Sequence, residues 1–500
     1  MSQSEVKNGT DLIRRSPHKR GKYWAWAMGG PVGLILVGMW GRIQYFSAHI
    51  LLIPQTTIFI IYLIYSIVDA FNDPLIGYFA DRSTRFTQKY GKRFPWIITG
   101  YLTQPIFLIL CFVPISYVVN EPNNLMLSIV WLIIMMCIYE TLATVSEVNQ
   151  TALFPDLFRS QLERTKSIRA SQVITFIYQI LIVSILIPII LGRLGGKDDP
   201  NAYLGTVIIT AILSCIMLIP FSYGAYENKE IRAFRAQLDR KRKSFSLPKE
   251  SLFRILSDRN WMAYVIMFSL YSIAGICFLN GLPFFFLDGL GYEIDSLAAM
   301  LPRIIVLITT FIGSLLYIPI VKKYGTRKSG IIGLICFSLF FLMIFLLPVS
   351  LLNFVCIFGG FGYGAVIVSG IYIGAEAIDK AVIQSGKREE GSYTGVLRVF
   401  TAFSYAIQTG IFAIISSFTG FVSSEPSPYA NPISALVSSF TGFVSGGPST
   451  STAAYIGLLI QISLIPFLIV VIAVIVFAFM YQITKDEALQ NTEKLKQIGL

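Results

Sequence analysis

The sequence predicts an all-α polytopic membrane protein with about twelve transmembrane helices in two six-helix bundles. Hydrophobic residues make up 54% of the 500 residues and charged residues 14%, and the mean hydropathy is +0.66. This balance excludes an ordinary soluble domain. Apolar runs of about twenty residues recur along the whole chain, and each can cross a hydrocarbon core of roughly 30 Å as a helix. The runs are continuous, whereas strands of a membrane β-barrel would alternate apolar and polar residues.

The apolar runs themselves give the predicted spans. The first six spans are predicted at 27–51, 57–80, 95–118, 125–150, 170–191 and 203–224. The second six are predicted at 260–287, 297–320, 330–349, 352–378, 394–420 and 453–480.

One long polar stretch, 225–259, separates the two groups of spans. The predicted organisation is a cytoplasmic tail (1–23), an N-terminal six-helix bundle (24–224), a basic central loop (225–259), a C-terminal bundle (260–480) and a second cytoplasmic tail (481–500). Transporters commonly bind their substrate between two such halves and rock the halves about it.

The basic residues cluster in alternate loops, which is the pattern of cytoplasmic loops. Examples are 82–93, 159–169, 240–243, 322–328 and 387–388, whereas the opposite loops carry mainly Asp and Glu. The formal net charge of +12 therefore indicates sidedness in the cytoplasmic (plasma) membrane, with both termini in the cytoplasm, and does not indicate a nucleic acid partner. The protein is expected to be a monomer in the lipid bilayer.

Two carboxylates, Asp69 and Asp73, lie one helical turn apart inside the second predicted span. Residues four apart share one face of a helix, and an unpaired charge in lipid costs several kcal/mol. A small cation, Na⁺ or H⁺, would neutralise them. The alternative is that Asp73 ends the helix before Pro74 while Asp69 pairs with a cationic side chain.

Three blocks of sequence resemble one transporter family. They are DAFNDPLIG at 69–77, DRSTR at 81–85 and GKRFPW at 91–96; then ALFPDL at 152–157 with ERT at 163–165; then GKREEG at 386–391 with YTG at 393–395. In this order they resemble the glycoside-pentoside-hexuronide:cation symporters, the melibiose-permease branch of the major facilitator superfamily. The resemblance implies the major facilitator fold.

The resemblance also implies a site for the coupling cation. Asp69, Asn72 and Asp73 on the second helix would meet Thr144 on the fourth, and each position keeps an oxygen ligand. Na⁺ favours such a shell of carboxylate, amide and hydroxyl oxygens, with Asp69 and Asp73 as its charged ligands, whereas H⁺ needs a single carboxylate. Na⁺ is therefore favoured, and no other cofactor is expected.

The substrate positions agree less well with the family. Glu147 keeps an acid of the fourth helix, but the family's aromatic residue one turn later is Thr151, its fifth-helix Arg is Gln172 and its eleventh-helix Lys is Ala402. The expected substrate-binding residues are Glu147, Thr151, Gln172, Arg398 and Arg42. Galactosides are thus not favoured, and a more acidic substrate met by Arg398 and Arg42 fits equally well.

The remaining charged residues of the spans receive structural roles. Glu140 is interpreted as a packing group paired with Arg42, and Glu376 or a substrate oxygen as the partner of Arg398. A further set is expected to control conformational exchange, because it resembles the facilitator loop motif, in which Gly permits close helix approach and Asp faces a helix N-terminus. This set is Gly77, Asp81, Arg82 and Arg85.

These observations favour a secondary active transporter that couples a cation to symport of a sugar, glycoside or uronide by alternating access. A transporter of lysolipids, other amphiphiles or organic anions from the same superfamily is the alternative. A membrane-embedded enzyme is not expected, since the chain has two His residues and none of the HExxH, GxSxG or CxxC patterns. A short duplication, 416–423 and 438–445, is predicted to form a surface loop.

Overall fold

The computed structural model describes residues 19–82, 89–119, 124–158, 160–228, 232, 249–385, 390–419 and 452–498. Within these residues twelve helices are long and apolar enough to cross a membrane. This confirms the predicted all-α class and the multi-pass membrane protein. Residues 420–423 of the first copy of the duplicated segment and the whole second copy lie outside the described residues.

Six spanning helices form the N-terminal half. Helix α1 consists of the segments Arg20–Ala27, Gly29–Trp40 and Ile43–His49. The next three are α2 (Gln55–Arg82), α3 (Phe94–Cys111) and α4 (Leu125–Leu157). Helix α5 runs through Gln161–Tyr178, a π-helical part Gln179–Leu186 and Ile187–Arg193, and α6 is Pro200–Ala225.

Six more form the C-terminal half. Helix α7 is Arg259–Pro283 with a π-helical continuation Phe284–Gly289. The next three are α8 (Leu297–Tyr324), α9 (Thr326–Leu346) and α10 (Leu352–Ser385). Helix α11 comprises Glu390–Ala402 and Ser404–Thr419, and α12 comprises Thr452–Leu459, a π-helical part Ile460–Leu464 and Ile465–Met480. A final helix, α13 (Lys485–Ile498), packs on α10.

Five helix ends differ from the prediction by seven residues or more. Helix α4 ends at Leu157 instead of 150, and α10 ends at Ser385 instead of 378. Helix α1 begins at Arg20 instead of 27, because Tyr23 and Trp26 are buried in an aromatic cluster with Phe158. Helix α5 begins at Gln161 instead of 170, because Ser160 and Glu163 form a capping box. Helix α3 ends at Cys111 instead of 118, since the chain turns at Pro114 into a separate short helix, Ile115–Val118.

The two halves meet along two pairs of helices, α2 with α11 and α5 with α8. At one end of the molecule, here called the far end, Asp288 of α7 joins the halves. Its carboxylate accepts a hydrogen bond from Tyr45 Oη at 2.9 Å and lies 3.1 Å from His49 Nε2 and 3.2 Å from Lys197 Nζ. The opposite end carries the first residues of α1 and the last of α12.

Candidate functional site

A polar cavity of about 200 Å³ lies between α2, α4 and α11, where the two halves meet. We call it the carboxylate cavity. Its charged and hydroxyl-bearing residues are Tyr65, Asp69, Asp73, Glu140, Thr144, Glu147, Arg398, Thr401 and Tyr405. Each helix contributes one face, because the residues of α2 are spaced by four and those of α4 by four and three.

The helix that carries Asp69 and Asp73 continues through Pro74 to Arg82. The alternative reading, in which Asp73 ends the helix, is therefore wrong. Both carboxylates line the carboxylate cavity, as their spacing predicts.

The carboxyl groups of Asp69 and Glu140 lie within hydrogen-bonding range of each other. The Tyr65 hydroxyl donates to Glu140 Oε2 at 2.8 Å. Ionised carboxylates only accept hydrogen bonds, so two of them make such a contact only through a shared proton or a bound cation. The predicted pairing of Glu140 with Arg42 is wrong, because Arg42 lies in a different cavity and donates to Gly38 O at 2.9 Å.

Asp73 and Thr144 both line the carboxylate cavity, and the Thr144 hydroxyl, on a residue only 2% exposed, is close enough to interact with the Asp73 carboxylate. This brings together a carboxylate of α2 and a hydroxyl of α4 that the family resemblance pairs. Asn72 points elsewhere, since its Nδ2 donates to Thr141 Oγ1 at 3.1 Å and it does not line the cavity. Three of the four expected cation-site residues thus converge.

Arg398 of α11 is the one cationic side chain among the residues that line the carboxylate cavity. It is close enough to Asp69, Asp73 and Glu147 for electrostatic attraction. Four carboxyl groups against one guanidinium leave an excess of three negative charges when all are ionised. The expected partner Glu376 lies elsewhere and accepts hydrogen bonds from Thr326 and from Tyr481 at 3.1 Å.

The structure separates the expected substrate residues. Glu147 and Arg398 line the carboxylate cavity, and so does Ala402 at the position of the family's Lys. Thr151 and Gln172 are exposed and are not among its lining residues. Arg42 lines the second cavity, described below.

The expected gating residues are described only in part. A Cβ atom on Gly77 would lie 3.8 Å from Val148 Cγ1, an ordinary contact, so no close helix approach at Gly77 is found among the described residues. The side chains of Asp81 and Arg82, and the whole of Arg85, lie outside the described residues.

Sequence reasoning gave Glu140 a packing role and did not single out Tyr405. Glu140 shares a face of α4 with Thr144 and Glu147, and that period was the available signal for it. Tyr65 and Tyr405 approach from opposite halves. Within the described residues, no three His, Cys, Asp or Glu side chains are grouped as metal ligands, so a Na⁺ shell here would be completed by hydroxyl groups and water.

Comparison with protein families gives one match that covers most of the chain. The family described as MFS/sugar transport protein matches residues 29–485. The raffinose carrier protein of Pediococcus pentosaceus is 22% identical over 368 residues, which are 72% of this chain and 55% of that protein. The chain therefore spans about half the length of that relative.

Two further relatives are named as transporters. The isoprimeverose transporter of Lactiplantibacillus pentosus is 22% identical over 399 residues, 76% of each chain. The sodium-dependent lysophosphatidylcholine symporter 1-B of Danio rerio is 34% identical over 96 residues, 19% of this chain and 17% of that protein.

Solved structures of transporters share the fold at low sequence identity. A bacterial homologue of the human lysosomal transporter Spinster, inward-facing and unoccupied, is 12% identical with a TM-score of 0.62 and covers 95% of this chain and 99% of its own. The nucleoside transporter NupG is 14% identical with a TM-score of 0.56, and covers 93% of this chain and 100% of its own. These likenesses show the fold alone.

Proposed function

The chain belongs to the MFS/sugar transport protein family, and on that premise we propose that it is a secondary active transporter in which a cation, Na⁺ in preference to H⁺, is coupled to symport of a sugar, glycoside or uronide. The observation that carries the proposal is the charge of the carboxylate cavity, where four carboxyl groups face one guanidinium. Such an excess of buried negative charge favours a bound cation.

The contacts suggest two positions for positive charge. One is the close approach of Asp69 and Glu140, which needs a proton or cation between the two groups. The other is Asp73 with the Thr144 hydroxyl, a pair of hard oxygen ligands of the kind Na⁺ prefers. The name of the sodium-dependent relative supports Na⁺ over H⁺.

Coupling follows from the position of Arg398. This residue comes from the C-terminal half, while the acids come from the N-terminal half. A cation on the acids weakens their hold on Arg398, which is then free to bind substrate oxygens and to let the halves move relative to each other. By linkage, substrate raises the affinity for the cation by the same factor as the cation raises the affinity for substrate.

A second candidate, transport of a lysolipid, is favoured by the 34% identity to the lysophosphatidylcholine symporter. The exchange of the family's Lys for Ala402 in the cavity wall also removes a polar group that a sugar could use. Both candidates share the cation site and differ in the substrate.

The test is uptake by purified protein in liposomes, with and without an inward Na⁺ gradient. Labelled raffinose, isoprimeverose, glucuronate and lysophosphatidylcholine form the panel. We expect Na⁺-driven uptake of a saccharide that is abolished by Asp73→Cys and kept by Glu293→Gln, a change of an exposed far-end acid. Uptake that follows a proton gradient alone contradicts the choice of Na⁺, and uptake of lysophosphatidylcholine alone favours the second candidate.

A further inference from the structure

A second cavity, of about 60 Å³, lies between the halves near the far end. Helices α1, α5 and α6 form one wall, and α7 and α8 form the other. Two guanidinium groups from opposite halves line it, Arg42 of α1 and Arg303 of α8. We call it the arginine cavity.

The charge of the arginine cavity is unbalanced. None of its lining residues is Asp or Glu, and the two arginines are near enough to repel each other. Arg42 donates to a carbonyl of its own helix, Gly38 O. Arg303 Nε is buried and has no hydrogen-bond partner among the described residues.

The hydroxyl groups that line the arginine cavity already donate hydrogen bonds to other protein groups. Tyr45 Oη donates to Asp288 at 2.9 Å, Tyr203 Oη to Lys197 O at 3.1 Å and Ser184 Oγ to Gln179 O at 3.0 Å. The guanidinium groups are therefore the donors left for a ligand. Two half-buried cations with no carboxylate among the residues lining the cavity are costly, and a guanidinium binds carboxylate and phosphate through paired N–H groups.

We propose that the arginine cavity binds an oxyanion, a carboxylate or a phosphate, between Arg42 and Arg303. The volume suits such a group and is too small for a whole sugar. The anion is then the acidic end of a larger molecule or a free anion, and the same contacts recognise both.

Tyr405 links the two cavities electrostatically. Tyr405 lines the carboxylate cavity and interacts electrostatically with both Glu140 and Arg303. A molecule whose acidic group lies between the arginines would thus reach toward the cation site past Tyr405. This link rests on the proposed function and makes the transported substrate an acidic one, whereas the binding of the anion itself does not depend on transport.

The test measures anion binding by thermal unfolding of the purified full-length protein at constant ionic strength. The probes are inorganic phosphate, glycerol phosphate, glucuronate and neutral glucose. We expect an oxyanion to raise Tm by about 2–4 °C, saturably, while glucose does not. The rise should be lost in Arg303→Gln and Arg42→Gln and retained in Arg193→Gln, which removes an exposed arginine of α5.

Comparison of the four probes identifies the source of the anion. If glucuronate raises Tm most, the site binds an acidic sugar. If glycerol phosphate raises Tm most, it binds a phosphate ester, and if inorganic phosphate does, it binds a free ion. An equal rise in wild type and Arg303→Gln, or no rise with any anion, overturns the proposal. Arg303→Lys keeps the charge and should keep a weakened response, which separates lost binding from lost folding.

This result is independent of cation coupling. If Na⁺ fails to drive uptake while anion binding is lost in Arg303→Gln, the proposed function is wrong and the anion site stands. If uptake is Na⁺-driven but anions do not bind, the anion site is wrong and the proposed function stands.

Discussion

The Tyr65 hydroxyl donates a hydrogen bond to Glu140 Oε2 at 2.8 Å and so joins α2 to α4 beside the carboxyl group of Asp69. Asp69 and Tyr65 lie on the long helix α2 and Glu140 on the long helix α4, so the pair of Asp69 and Glu140 is held in a fixed geometry. A cation shared by Asp69 and Glu140 would meet preformed ligands.

Glu140→Gln should weaken cation binding. The amide keeps the shape but removes one negative charge from the contact with Asp69. We expect the Na⁺ concentration for half-maximal uptake to rise by about tenfold, which corresponds to ~1.4 kcal/mol. Uptake measured against Na⁺ concentration in liposomes checks this.

Tyr65→Phe is the matched control for Glu140→Gln. It removes the hydrogen bond and leaves the charge, so a smaller rise of about two- to fivefold is expected. A larger effect of Tyr65→Phe than of Glu140→Gln would show that orientation, and not charge, governs the site.

Asp288→Asn should loosen the far end. This carboxylate contacts Tyr45, His49 and Lys197 of the opposite half, and the amide loses the charge attraction to Lys197. Spin labels on cysteines at positions 194 and 297, exposed sites of opposite halves near this end, should report a population with longer distances. An unchanged distance distribution would mean that apolar contacts such as Phe176 with Phe311 suffice.

The sequence was sufficient for the fold and for part of the site. Hydropathy located twelve spans because lipid imposes length and apolarity on each, and helical spacing placed Asp69 and Asp73 on one face. It was insufficient for Glu140, whose partner depends on how α4 is rotated against α2. Arg303 was overlooked because one arginine near the start of an apolar run resembles a snorkelling side chain.

Asn72 illustrates the same limit. Its position next to Asp73 suggested a cation ligand, but consecutive residues of a helix point about 100° apart. Its amide instead donates to Thr141.

Glu227→Ala should destabilise the start of α3. The Glu227 carboxylate accepts hydrogen bonds from the backbone N–H groups of Lys92, Arg93 and Phe94 at 3.2, 2.8 and 3.0 Å. Loss of this cap costs about 1–2 kcal/mol, because an anion at a helix N-terminus satisfies free donors and complements the dipole. Thermal unfolding should show a Tm lowered by a few degrees, with no change for Glu293→Ala; equal Tm values would contradict the cap.

Gly364→Ala should be far more harmful than Gly77→Ala. A Cβ on Gly364 would lie 2.5 Å from Thr310 O and 2.7 Å from Ser314 N, which are backbone atoms of α8 that cannot move aside, whereas a Cβ on Gly77 meets an ordinary contact. We expect Gly364→Ala to lower folded yield and Tm, and Gly77→Ala to keep both. Loss of uptake by folded Gly77→Ala would restore a gating role for that glycine.

The central claim is that the carboxylate cavity binds the coupling cation. Equilibrium binding of radiolabelled sodium to purified protein tests it most directly, with Asp69→Asn, Asp73→Asn and the control Glu293→Gln side by side. We predict saturable binding to wild type and to Glu293→Gln that is lost in both aspartate variants and is strengthened by the transported substrate. Sodium binding that survives in Asp69→Asn and Asp73→Asn would contradict the account.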